Sequence, residues 1–339
     1  MKKVLSLLSL MLVIIMAFGL TACGGEKDQD TVSSASSAGS AVYTPVDMKV
    51  ACMTGPTGIG MAKLMADSAE KTTANNYTFT VATAATEINA KFLSDEINIA
   101  SVPTNVAATL YSKNNDVRML AVNTYGVLSI LEKGDTIQTV NDLKGKTIYS
   151  TGKGQNPEFI IKHILTENGI DPENDVTLNF VSSEELVTLL VKGEAEVAMA
   201  PEPAATTVMV KNAELRRALS INDEWSKVSD TQLMMGCVVA KASYIKENPE
   251  AVAKFLEEYE KSIEFAKTNI DEAAKHCATY KITASEAIAK KAIPTCNLCY
   301  VTGKDMKTNV NGYLNVLFTA DSTSIGGAMP NDEFYYNAE

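Results

Sequence analysis

Two short stretches carry the residue types that suit ligand chemistry. In KVACMTGPTGIGMAKLM (49–65) an apolar run gives out at Thr54-Gly55; in KTIYSTGKGQNPEFIIKHIL (146–165) another gives out at Thr151-Gly152, 97 residues on. A helical pattern follows each, so the chain builds one strand–loop–helix corner twice. Glycine lets a backbone approach a ligand closely. A helix starting behind it presents unpaired N–H groups and a positive partial charge of about half a unit. Such a terminus contributes about 0.3–2 kcal/mol toward an anionic or acceptor group. Two facing corners would grip one small molecule from both sides. The candidate ligand contacts are Thr54, Gly55, Thr57 and Gly58 at the first corner, and Gly152, Lys153, Gln155 and Asn156 at the second. Thr104 and Asn105 follow a strand expected to end at Val102, and Glu202 follows one expected to end at Ala200. Asn123 and Tyr125 lie in a long apolar run, where the ring suits stacking on a flat ligand. Lys153 and the helix starts favour a carboxylate, sulfonate or phosphate, whereas Glu202 suits an amine or a ring N–H.

Other chemistries are poorly served. GPTGIGMAK lacks the G-x-x-x-x-G-K-[ST] run of a P-loop, and Gly58-Ile59-Gly60 lacks the third glycine of a dinucleotide fingerprint. His163 and His276 are the two histidines, so His-based catalysis has few players and no enzyme activity or cofactor is expected. A net charge of −11 and a pI near 4.9 argue against a nucleic-acid partner. Besides Cys23 there are Cys52, Cys237, Cys277, Cys296 and Cys299, an odd number and a poor disulfide framework. Adjacent His276 and Cys277 hardly face one metal, so CNLC (296–299) is not read as a zinc site. Whether Cys277, Cys296 and Cys299 hold a disulfide or stay free is open.

The elements that must position these residues follow from periodicity. From Met48 onward, short apolar strands alternate with 10–15-residue helical patterns, which implies α/β layers with mainly parallel sheets. One helix is expected over 58–70, a capping box at Ser182/Glu185, another at Thr283/Glu286, and a helix opening on Asn248-Pro249. EINAKFLSDEINIASVP (87–103) aligns with ELVTLLVKGEAEVAMAP (185–201) at an offset of 98, close to the 97 of the corners. Two lobes of one plan follow. The long apolar runs 117–133 and 233–245 enclose the second lobe and are expected to form a two-strand hinge. Lobe one then comprises 46–125 plus 238–339, and lobe two 126–237.

The N-terminus is a separate matter. Lys2 and Lys3, an apolar stretch from Val4 to Leu20, and LTAC (20–23) describe a secretory signal over 1–22. LTAC resembles the bacterial lipobox, which implies cleavage before Cys23 and its lipidation. Residues 23–45, rich in Ser, Ala, Gly and charge, read as a tether.

Five stretches in order, MTGPTGIGMAKLM, DLKGKTIYSTGKGQNPEFIIKHIL, GEAEVAMAPEPAATTVM, NPEAVAKFLEEYEKSIEFA and IGGAMPNDEFYY, resemble bacterial ABC-transporter substrate-binding lipoproteins. The branch is that of nitrate, sulfonate, taurine and thiamine-precursor binders, also called NMT1/THI5-like. The resemblance covers nearly all of 46–339. It implies a two-lobed, type II periplasmic-binding-protein fold and capture of a small molecule outside the membrane. It also implies delivery to an ABC permease with its ATPase, by a monomer lipid-anchored to the outer face of the cell membrane. A ligand-presenting sensor is the alternative, and an enzyme on the same fold, like the yeast pyrimidine-precursor synthases, is less favoured. The Cys-rich motif and His/Lys centre of those enzymes are not visible here.

Overall fold

The computed structural model describes residues 43–337. The expected signal, Cys23 and most of the tether lie outside that range. Residues 44–339 form one compact unit. Among the described residues no helix is long and apolar enough to cross a membrane.

Among the described residues, eleven strands build two sheets. The first holds β1 (Asp47–Met53), β2 (Asn76–Ala82), β3 (Ile99–Pro103), β4 (Arg118–Thr124), β10 (Gly236–Ala240) and β11 (Leu298–Val301). The second holds β5 (Leu128–Lys133), β6 (Thr147–Ser150), β7 (Thr177–Phe180), β8 (Val197–Pro201) and β9 (Leu215–Ser220). Helices flank both, in a mixed α/β architecture. The first sheet runs β2-β1-β3-β10-β4-β11 and the second β7-β6-β8-β5-β9. Each therefore reads second, first, third, an inserted strand, fourth. The inserted strands, β10 and β5, run antiparallel to both neighbours, while β1/β2, β1/β3, β6/β7 and β6/β8 pair in parallel. β1 thus corresponds to β6, and β3 to β8.

Local sequence explains most element ends. Ser182 accepts from the Glu185 amide at 3.1 Å at the start of Ser183–Lys192. The helix expected over 58–70 is instead two, Pro56–Ile59 and Ala62–Ala69. Gly60 sits at the break and packs closely: a Cβ there would lie 2.9 Å from Ile263 Cγ1 on the helix Pro249–Thr268. The cap expected at Thr283 is made by Ser285, whose hydroxyl accepts from the Ile288 amide.

The run 117–133 resolves into β4 and β5, one in each sheet, joined at Gly126, where a Cβ would strike Leu233. The return passage is not a strand but the irregular segment 229–235, with β10 wholly in the first sheet. Side chains hold it instead: Trp225 Nε1 donates to the Thr231 carbonyl at 2.7 Å, and Asn309 accepts from the Gln232 amide.

The candidate ligand cleft

Strand ends from both sheets line one cleft of about 670 Å³, within the roughly 300–1,000 Å³ usual for small-molecule sites. Met53 and Thr54 close β1, Pro103 and Asn105 follow β3, Gln155 and Asn156 follow β6, and Pro201 and Glu202 follow β8. The ends of parallel strands are where open α/β sheets bind ligands. A larger hollow of about 1040 Å³ lies under Arg118, Lys307 and Tyr335, at the opposite end of β4. Two of its basic groups are engaged, Lys307 with Asp332 at 2.9 Å and Arg118 with the Asn115 and Val117 carbonyls. Of these two, the smaller cleft is the one lined from both sheets' binding ends.

Six expected contacts meet there: Thr54, Thr57, Asn105, Gln155, Asn156 and Glu202. Gly55 lies at its border, with φ +87° and a Cβ position 3.4 Å from Pro203 Cδ. The others do not line the cleft. Gly58 is packed beneath the corner, where a Cβ would meet the Met53 carbonyl at 2.2 Å. Thr104 is fully buried beside Cys237. Asn123 is buried, donating to Ser101 Oγ at 2.8 Å and Tyr259 OH at 2.9 Å. Tyr125 is half-buried outside the lining, and burial raises its phenol pKa. Gly152 forms the turn before Pro157, and Lys153 is exposed on the outer surface.

Glu202 lines the cleft but its carboxylate is engaged. It pairs with Arg217, accepts from the Thr206 amide at 3.2 Å and from the Thr295 hydroxyl at 2.9 Å. An amine ligand would have to displace these.

The helix field differs from expectation at the first corner. A four-residue helix, Pro56–Ile59, has no appreciable macrodipole, and its Gly58 amide already bonds the Gly55 carbonyl. Three longer helices start at the cleft: Ala85–Leu93, Thr104–Lys113 and Asn156–Glu167, none with a side-chain cap. The Thr104 amide is taken by the Met235 carbonyl at 3.0 Å and the Glu158 amide by the Gln155 carbonyl at 3.0 Å, so what these starts offer an acceptor or anion is chiefly the field of the helix. Glu158 offsets part of the third helix's field. Burial pushes its carboxyl up, but the Gly154 amide at 2.7 Å and Lys162 outweigh that and hold it below the usual carboxylate range.

Sequence reasoning missed Met53, Pro56, Ala84, Ala85, Thr86, Asn89, Pro103, Val106, Thr124, Val127, Pro157, Pro201, Met235 and Gly236. Strand alternation held one clue: Asn123 and Tyr125 were favoured, yet Thr124 between them turns to the cleft. The five described cysteines are all free and buried, and desolvation pushes the Cys52 and Cys237 thiols up to about 12. Neutral thiols so placed are poor nucleophiles and poor metal ligands.

Two α/β lobes with matched strand order, enclosing a cleft at their strand ends, define the substrate-binding-protein architecture. Residues 118–273 match the family model described as NMT1/THI5 like. That match covers a little under half of the chain, and over those residues the chain is similar to the family. A Bacillus subtilis protein with a provisional binding-protein name, YtlA, is 28% identical over 116 residues, 34% of this chain and 33% of YtlA. That match thus spans a third of the relative's length. Among solved structures, an ABC transporter protein from Parabacteroides distasonis superposes with a TM-score of 0.73 at 21% identity, over 86% of this chain and 99% of that one. The periplasmic aliphatic sulphonate binding protein SsuA from Escherichia coli superposes at 0.70 with 12% identity, over 87% and 94%. Identities this low establish the fold alone.

Proposed function

We propose that this chain is the extracytoplasmic solute-binding component of an ABC importer. It captures a small anionic or heterocyclic molecule between its lobes and hands it to a membrane permease and its ATPase. In this reading the mature protein is a monomer, tethered by residues 23–45 and held to the membrane by lipid on Cys23. The lobes are 46–125 with 238–339, and 126–237. The observation that carries it is the cleft of about 670 Å³ lined from both sheets, with three uncapped helix starts at its wall. Thr54, Thr57 and Gln155 supply polar contacts, with Thr86, Asn89 and Thr124 beside them. Met53, Val106 and Met235 supply apolar surface. The sulphonate-binding title of the E. coli structural relative is compatible with an oxoanion ligand.

The test is a thermal-shift screen against nitrate, short sulfonates, pyrimidines, flavins and small carboxylic acids. At a hundredfold excess over Kd a ligand adds about 2.7 kcal/mol, a rise of several degrees in melting temperature. Thr57→Ala is expected to weaken that ligand while changing unliganded stability by no more than about 1 kcal/mol. Absence of a shift with every class removes the reading.

A further inference from the structure

The contacts across the cleft form a crossed pair. Asn105, after β3, accepts a 2.8 Å hydrogen bond from the Asn156 amide, after β6. On the other side the β1 corner approaches the β8 corner: a Gly55 Cβ would lie 3.4 Å from Pro203 Cδ. There Glu202 accepts at 2.9 Å from the Thr295 hydroxyl, whose one proton is shared with the Ala292 carbonyl at 3.0 Å; Thr295 belongs to the turn Ile293–Thr295 packed with the first lobe's helices. Because β1 corresponds to β6 and β3 to β8, exchanging the lobes maps the Asn105–Asn156 approach onto the Gly55–Pro203 approach, while Thr295 reaches Glu202 from outside both corners. This is a pseudo-two-fold relation about the cleft.

Each partner is held from behind by its own lobe. Asn105 donates to the Ser324 carbonyl at 3.4 Å, which turns its own carbonyl oxygen toward Asn156. In turn Arg217, anchored on Ser129 Oγ at 2.9 Å, neutralises Glu202. Asn156 is 7% exposed and Glu202 4%, so water competes little for these bonds in the closed arrangement. Both bonds join the two lobes, so opening the cleft must break them.

We propose that Asn105–Asn156 and Glu202–Thr295, one on each side of the cleft, are two clasps that set the closed population of the molecule. Asn105, Asn156 and Glu202 are then positioning residues, acting on affinity through closure rather than through ligand contact. The purpose of the clasps rests on the capture reading; their existence does not. Removing either clasp lowers affinity by the same factor for chemically different ligands, because the closed population scales every apparent Kd alike.

The experiment is a pulsed electron-resonance distance measurement on the full chain, with spin labels at Glu87→Cys and Lys211→Cys, both exposed and one on each lobe, and no ligand added. Wild type is expected to show a short-distance population matching the closed arrangement. Thr295→Val and Asn156→Leu should each reduce it at least about threefold, the weight of one ordinary hydrogen bond. The double variant should reduce it by the product, and Thr295→Ser should restore it. A wild type without the short-distance population, or a Thr295→Val protein that keeps it in full, overturns the proposal. Each variant's melting midpoint verifies folding, and Thr295→Ser against Thr295→Val keeps the comparison decisive if Asn156→Leu does not fold. A failed ligand screen with intact clasps would sink capture alone, and the reverse would sink the clasps alone.

Discussion

Asn123 shows how a polar side chain near a cleft shapes it without lining it. Its amide ties Ser101 Oγ to Tyr259 OH, Thr124 donates to its carbonyl oxygen at 2.9 Å, and Ser101 donates to the Thr57 carbonyl at 2.9 Å. The network fixes the backbone that aims Thr57 into the cleft. Asn123→Leu keeps the volume but leaves Tyr259 and Ser101 without their partner. It is expected to cost about 1–3 kcal/mol in urea unfolding and to weaken ligand binding in titration calorimetry. Gly236→Ala works from the other side: the new Cβ would lie 2.8 Å from Thr57 Cγ2 and 2.7 Å from Asn123 Oδ1. Its loss is expected in affinity, at least about tenfold, since a cleft-side shift of Thr57 relieves the clash. Residue types at the corners were legible in the sequence, and Thr54, Thr57, Gln155 and Asn156 do meet. What side chains bond to was not. Glu202 reads as a ligand group only until Arg217, Thr206 and Thr295 are seen around it, and Thr295 is 93 residues away along the chain.

At the scale of the element, the helix Asn156–Glu167 carries a conflict between stability and binding. Its first turn wants negative charge, and Glu158 supplies it with a carboxylate 9% exposed, bonded to the Gly154 amide and to Lys162 at 2.8 Å. A folded pKa below the ordinary value means that the unfolded chain takes up the proton first on acidification. Glu158 therefore contributes stability in full above the ordinary carboxylate pKa, and that contribution drains away as pH falls through the folded value. Glu158→Gln should lower stability at neutral pH and flatten the acid limb of a stability-against-pH curve from denaturant melts. An unchanged limb would deny Glu158 this role. Removing the charge also leaves more of the helix field for the cleft, so an anionic ligand should bind the variant no more weakly than wild type. Helices were the most legible elements, because period and caps are local. The close packing at Gly60 was hidden, since Ile263 lies on a helix some 200 residues later.

At the scale of the whole molecule, two lobes do not mean two folding units. One apolar core runs from the first sheet through Leu128 and Ile130 into the second, taking in Ile148, Ile160, Trp225 and Tyr313. Trp225 faces Tyr313 edge-on at 6.0 Å and His163 at 5.1 Å, so the helix Gly303–Ala320 packs against helices carried by the other sheet. Leu233 and Met234, in the return passage, are buried in the same cluster. Neither sheet could unfold without exposing side chains that the other covers, and free energies of that size couple the halves. The duplicated corner disclosed in the sequence that there were two similar halves; nothing in it disclosed that they share a core, because the joining residues come from stretches far apart in the chain. Calorimetry of the ligand-free chain should therefore give one transition, with the van't Hoff and calorimetric enthalpies agreeing. Trp225→Ala should lower its midpoint without splitting it, since the cavity and the freed Thr231 carbonyl weaken both halves together. Two resolved transitions in wild type would mean that the lobes fold independently, and closure would then be a docking of separate bodies.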